Sequence, residues 1–250
     1  ARIMHINERF DIILDYLKTH KRASVADLSK LMYVSGATVR RDLNEMQKLG
    51  LLQRTHGGAM YADGADEVSI FIRQEVNATG KEAAASVALA HLPEFHTIFI
   101  DNSSTCLALA GRMELQHKVV VTNGFQAASL LAQKDHVQVI MPGGEFSPTK
   151  GFAGSMACNA LRGFHFDVMF SSCAAIGLGG TYEHSLSAKE IKATALELSD
   201  RKVLVVDRSK FLLKSPYRTA ALRAYDDIFT DAEDDLLIPY REPGITINNA

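Results

Sequence analysis

A chain that carries the stretch 35–50, SGATVRRDLNEMQKLG, has a short amphipathic helix built into it. Ser35 can accept a hydrogen bond from an otherwise unpaired amide of the first turn, and Gly50 suits the left-handed residue that follows a last turn. Val39, Leu43 and Met46 recur at i, i+4 and i+7 as a single apolar stripe, which must pack inward. Arg41, Asn44 and Lys48 lie opposite that stripe, with Thr38 and Arg40 on its flanks. An exposed face that begins with Thr, Arg and Arg is shaped to enter a DNA major groove, where side chains near the helix start meet base edges and phosphates. A solvated basic surface would carry the same residues, so the neighbouring segments decide.

The spacing of Ile6, Phe10, Ile13, Leu14 and Leu17 predicts a helix over 7–19, ended by His20-Lys21-Arg22. Ser24 then caps a short helix whose apolar side is Val25, Leu28 and Leu31. Asp27, three residues after the cap, makes an approximate capping box with Asp in place of Glu or Gln. The loop 32–35 leads into the organising helix, so helix, helix, tight turn and helix follow one another in about 45 residues, the helix-turn-helix pattern. Residues 51–55 read as a strand, Gly57-Gly58 as a tight turn and 59–62 as a return strand, which adds a β-wing. Arg54 and His56 at the wing's tip would lie near a DNA backbone, with the glycines permitting close approach. An ordinary exposed loop histidine is the alternative for His56.

The charge distribution agrees. Residues 1–60 hold ten Lys and Arg against six Asp and Glu, a balance of +4, while the whole chain of 250 residues carries −2. A basic head on an acidic body fits a head that meets a polyanion. Cys106, Cys158 and Cys173 show neither CxxC nor Cys/His spacing, so reduced thiols in a cytoplasmic protein are expected, with no disulfide frame and no metal site. No apolar run approaches the ~20 residues of a membrane span.

Beyond residue 62 the polar, aperiodic run Asp63-Gly64-Ala65-Asp66-Glu67 reads as a hinge. Apolar runs rich in β-branched residues at 97–100, 119–122, 137–141, 168–171 and 203–206 then alternate with helical patterns at 81–92, 104–112, 125–133 and 187–198. Such alternation predicts a mostly parallel sheet with helices on both faces, and ligands in these sheets sit beyond the carboxyl ends of strands. The domains expected are therefore a head over 1–62, a linker and lead-in over 63–80, and an α/β body over 81–250. Asp101-Asn102-Ser103-Ser104-Thr105 follows the first run and opens a helix, an arrangement that suits either a phosphate or a plain helix cap. Thr122-Asn123-Gly124, Pro142-Gly143-Gly144-Glu145 and Gly151-Phe152-Ala153-Gly154 add small or hydroxyl-rich turns toward one sheet edge, which favours a ligand cleft. There is no GxGxxG fingerprint and no P-loop, so nucleotides are disfavoured and no cofactor is expected.

Arg9, Ile13 and Leu17, the run 35–43 (SGATVRRDL) and the later R-T-H-G-G-A together resemble the winged-helix signature of the DeoR/GlpR family of bacterial sugar-metabolism regulators. The resemblance implies that Ser35, Thr38, Arg40 and Arg41 contact double-stranded operator DNA, joined by the exposed Asn44 and by Arg54 and His56 of the wing. Asp42, beside the apolar stripe, reads as a structural partner for a nearby cation. The blocks 95–105, 121–124, 141–146, 166–170 and 202–211 (KVLVVDRSKF) are similar to the family's C-terminal domain, itself similar to ribose-5-phosphate isomerase. That likeness implies a Rossmann-like effector domain for a phosphorylated sugar or sugar derivative. Ser103, Ser104 and Thr105 would hold the phosphate, Asp101, Asn123 and Gly144 would shape the pocket, and Lys192 and Lys210 would face the ligand.

Family members usually place an acidic residue four positions before the lysine matching Lys192, where this chain has Ala188. The first loop reads DNSST in place of DSGTT or DCGTT, and TNG replaces TNS. Glu183, Lys189 and Glu190 could compensate, though each reads as a surface charge. The function expected is a transcriptional regulator, a repressor of a carbohydrate operon, working as a dimer or tetramer. A sugar-phosphate isomerase with a DNA-binding head is the rival. It lacks the carboxylate expected near the helix lysine, and proton transfer beside a carbonyl needs a positioned base.

Overall fold

The protein is described by a computed structural model over residues 6–48, 52–60, 70–147 and 151–249. The chain divides into two compact units, 1–76 and 77–250.

The first unit runs α1 (Ile6–His20), β1 (Arg22–Ser24), α2 (Val25–Met32), α3 (Gly36–Lys48), β2 (Gln53–Thr55), β3 (Gly58–Met60) and α4 (Ile70–Glu75). α2 starts on the capping box: Ser24 Oγ accepts from the Asp27 amide at 3.0 Å, and the Asp27 carboxylate accepts from the Ser24 amide at 3.2 Å. Ser35 caps α3 by accepting from the Thr38 amide at 3.1 Å. Val39, Leu43 and Met46 are fully buried against Ile13, Leu17, Leu28 and Met32. Leu31, expected on the apolar side of α2, is 43% exposed, and Met32 takes the inward position. The sequence pattern also lacked β1, whose three residues are too few to show a period. It pairs antiparallel with β3, Arg22 opposite Met60, so the sheet order is β1-β3-β2. The Gly50 cap, the hinge 63–67 and the outer end of the return strand lie outside the described residues.

The second unit begins α5 (Ala78–Ala90), β4 (Thr97–Ile100), α6 (Ser104–Arg112), β5 (Val119–Thr122), α7 (Phe125–Leu131) and β6 (Gln138–Ile140). A hairpin of β7 (Glu145–Ser147) and β8 (Gly151–Ala153) leads into α8 (Gly154–Leu161) and β9 (Phe166–Ser171). Then come β10 (Ala175–Gly177), β11 (Gly180–Glu183), α9 (Leu186–Glu197), β12 (Ser199–Val206), β13 (Tyr217–Ala220), β14 (Asp227–Thr230), α10 (Asp234–Leu237) and β15 (Ile247–Asn249). Among the described residues seven strands make one parallel sheet, in the order β15-β14-β12-β9-β4-β5-β6.

The alternating strand residues split the core in two. Ile98, Ile100, Val203 and Val205 meet Ala84, Ala88, Leu109 and Leu131 of α5, α6 and α7 on one face. Phe99, Val121, Met169 and Leu204 meet Leu161, Ile191 and Ala195 of α8 and α9 on the other. From β4 the chain builds outward to β5 and β6, then returns to β9 on the opposite side of β4. At such a reversal the loops leaving adjacent strand ends part and open a crevice. The hairpin, α8 and the antiparallel sheet β10-β11-β13 were not legible as regular structure. Gly151 and Gly154 read as turn formers, but with φ of +69° and +85° they sit at the start of β8 and of α8.

Candidate functional site

On α3, Ser35, Arg40, Arg41 and Asn44 are exposed and Thr38 is half-buried. The Ser35 and Thr38 hydroxyls lie 2.9 Å apart, so the helix start presents a linked pair of small polar groups. Arg40 and Arg41 make no ion pair among the described residues, which leaves both guanidinium forks open to an incoming anion. Their neighbour Asp42 turns the other way. It is 1% exposed and accepts two bonds from Arg9 of α1, at 2.7 and 2.9 Å. α3 is thereby fixed on α1 from beneath while its arginines face outward.

The wing is fastened as firmly. The Val25 amide donates to the Gly57 carbonyl at 2.9 Å, and Gly57 turns at φ +89°. A Cβ at Gly58 would lie 2.1 Å from the Ala23 carbonyl oxygen, so only glycine lets β3 approach β1 there. Arg54 stands on β2 behind the turn, where its amide donates to Gln47 Oε1 at 2.9 Å and its guanidinium to the Gly58 carbonyl at 2.7 Å. His56 occupies the turn itself and is exposed. Exposed cations on a rigid helix start beside an exposed turn can bind phosphates and reach base edges.

In the second unit the strand reversal is closed by Asp101, directly after β4 and fully buried. Its Oδ1 accepts from the Ser103 amide at 2.9 Å, and its Oδ2 accepts from the Ser171 hydroxyl and the Ser172 amide, each at 2.9 Å. Lys192 Nζ of α9 stands 3.1 Å from the same Oδ2. Burial pushes this carboxyl up, but the Lys192 charge and the bonds from Ser103 and Ser172 outweigh it and hold the group below the ordinary carboxylate range. Lys192 also donates to Ser172 O at 2.8 Å and to Glu183 Oε1 at 2.7 Å. An ammonium has three protons, and three acceptors surround this one.

Glu183 corrects the sequence reading. It is 1% exposed at the end of β11, pointing at Lys192, and is no surface charge. An acidic partner for Lys192 is present after all, carried on a strand instead of the preceding helical turn. Ser171 and Ser172 were also missed, although their place directly after the apolar run of β9 was the available signal.

Beside this cluster Ser103 caps α6 by accepting from the Cys106 amide at 3.1 Å. The amides of Ser104 and Thr105 precede the first intrahelical bond and carry the positive end of the helix. Both side chains are buried, Ser104 at 6% and Thr105 at 1%. Asn123, after β5, donates its Nδ2 to the Phe152 carbonyl at 3.1 Å and receives the Phe152 amide on its own carbonyl at 2.7 Å. Its Oδ1 is buried and has no hydrogen-bond partner. A Cβ on Gly124 would lie 2.9 Å from Asn102 Cα, so the β4 and β5 loops touch where TNG stands in this chain. Gly144, at φ +102°, approaches Ala153 and Ala157 and so seats the hairpin against α8. Lys210, on the 3-10 turn Arg208–Leu212, is half-buried and pairs with no carboxylate among the described residues. Its charge reaches the Cys173 thiol together with those of Glu183, Lys192 and Asp101. Asp101, Ser103, Lys192 and Lys210 are thus brought around one strand reversal, with Asn123 on the adjoining loop, while Gly144 serves the neighbouring hairpin.

The description of a DeoR-like helix-turn-helix domain matches residues 9–64, and that of the DeoR C-terminal sensor domain matches residues 76–232. The L-fucose operon activator of Haemophilus influenzae is 34% identical over 229 residues, 90% of this chain and 92% of that protein. The putative aga operon transcriptional repressor of Escherichia coli O157:H7 is 28% identical, covering 98% and 94% of the two chains. The glycerol-3-phosphate regulon repressor of Haemophilus influenzae is also 28% identical, covering 90% and 87%.

Proposed function

The chain belongs to the DeoR family of transcriptional regulators, and on that premise we propose that it binds operator DNA through its first unit and a phosphorylated sugar or sugar derivative through its second. The observation that carries the first half is the outward pair Arg40 and Arg41 at the start of a helix anchored from below by Asp42. Thr38, Arg40 and Arg41 read bases, Ser35 and Asn44 flank them, and Arg54 and His56 bring the wing to the backbone. The second half rests on the α6 N-terminus beside the Asp101–Lys192 cluster, with Ser103, Ser104 and Thr105 holding the phosphate.

One winged helix covers too little DNA for tight specific binding, so the working form is a dimer or tetramer. Repression is the proposed sign, as in the names of two of the three relatives above. The protein works in the cytoplasm, where its DNA lies; no described helix is long and apolar enough to cross a membrane. Catalysis is not part of this function. Asp101 and Glu183 are both engaged by Lys192, so neither carboxylate stands ready as the base an isomerisation needs.

The test is a salt titration of binding to DNA from upstream of the protein's own operon, with and without a panel of sugar phosphates. Tight binding that one phosphosugar weakens supports the proposal. No preference over random DNA at any salt, with any ligand, overturns it.

A further inference from the structure

The buried cluster at the β4–β9 reversal also limits which phosphate esters can enter, an inference that rests on the effector reading above. Asp101 and Glu183 share a single ammonium, Lys192, at 3.1 and 2.7 Å, and its remaining proton is taken by the Ser172 carbonyl at 2.8 Å. A phosphate could claim Lys192 only by displacing a carboxylate, which would then be buried and unpaired at heavy cost. What remains for an anion is the pair of amides at Ser104 and Thr105, with the helix dipole behind them, and the ammonium of Lys210. One helix end and one cation match one phosphate. A second anionic group on the same ligand would face two carboxylates with no cation left to meet it.

Asn123 adds an independent requirement. Because its Nδ2 is spent on the Phe152 carbonyl, the atom left bare and buried is Oδ1, which can only accept. It belongs to the loop that touches Asn102, next to the start of α6. A buried acceptor is costly until a donor reaches it. A sugar hydroxyl is such a donor, whereas a carboxylate or second phosphate offers only acceptors.

We propose that the effector is a monophosphate ester of a neutral sugar or polyol, and that Glu183 and Asn123 select it by refusing a second anionic group. Glu183 acts by its charge beside Lys192, and Asn123 by receiving a hydroxyl proton.

The test is calorimetric titration of the full chain with pentose and hexose monophosphates, fructose 1,6-bisphosphate, 6-phosphogluconate and inorganic phosphate. The expected result is that at least one neutral monophosphate binds, and that the bisphosphate and the phosphogluconate bind at least about tenfold more weakly. Glu183→Gln should narrow that gap. Asn123→Ala should weaken the sugar monophosphate while leaving inorganic phosphate, which has no hydroxyl chain, equally bound; this variant keeps the test alive if Glu183→Gln does not fold. A bisphosphate or phosphogluconate that binds as tightly as the best monophosphate overturns this inference and leaves the effector reading standing. Silence from every phosphate overturns both.

Discussion

Arg9 and Asp42, 33 positions apart, are locked by two parallel hydrogen bonds of 2.7 and 2.9 Å across the α1–α3 contact. The arginine side chain is 14% exposed and the carboxylate 1%, so both charges are largely out of water. Removing one partner strands the other, and Asp42→Ala should cost the head about 3 kcal/mol. Replacing both, as Arg9→Met with Asp42→Leu, should return most of that loss. Urea unfolding of the single and double variants checks this. Equal losses from both would mean that the pair is not a mutual partnership.

Arg40 and Arg41 carry the opposite expectation, because nothing in the folded head depends on them. Arg40→Ala and Arg41→Ala should leave the unfolding midpoint within about 0.5 kcal/mol of wild type. Operator affinity should fall by roughly 1–3 kcal/mol where the side chain reads a base. An arginine that meets only a phosphate should instead lower the slope of log affinity against log salt by about 1. Competition between operator and random DNA at several salt concentrations separates the two roles.

Asp101 sets an acid limit on the sensor unit. Its folded pKa lies below the ordinary value, so the folded state prefers the ionised carboxylate. The stability it contributes is complete above the unfolded value of about 3.9 and is lost as pH falls through the folded one. Wild type should therefore lose stability on the acid side of about pH 4 more steeply than Asp101→Asn. Chemical unfolding of both proteins between about pH 6 and 3 would show parallel curves if this account were wrong.

Gly58 is needed for space, since an added Cβ would lie 2.1 Å from the Ala23 carbonyl oxygen. Gly58→Ala should push β3 away from β1 and destabilise the head by roughly 1–3 kcal/mol. A Cβ at Gly57 would meet no atom within 4 Å, although φ there is +89°. Gly57→Asn, which tolerates that conformation, should cost much less. Thermal unfolding of the two variants side by side is the measurement.

What could be read ahead of the structure was what local chemistry determines. The Ser35 cap, the capping box of Ser24 and Asp27, the stripe of Val39, Leu43 and Met46 and the structural role of Asp42 depend on spacing within one helix. The strands at 97–100 and 119–122 have the bounds that their β-branched runs suggest. Pairings made at a distance were not legible. β1 becomes a strand only because β3 arrives beside it, and Glu183 looks like surface until β11 folds back over α9. Leu31 failed for a different reason: Leu31 and Met32 compete for one inward position, and composition does not rank two apolar neighbours.

The sheet order β1-β3-β2 has a kinetic consequence for the head. Arg22 is paired with Met60, so the whole of α2 and α3 is enclosed between two strands that must find each other. Such a sheet cannot zip from a hairpin alone. Its second ladder closes a long loop only once the enclosed helices are compact, which raises the contact order and ties strand pairing to helix docking. Opening either end then exposes both, so α3 should not fray by itself, and its amides should exchange with solvent only in step with those of β1 and β3.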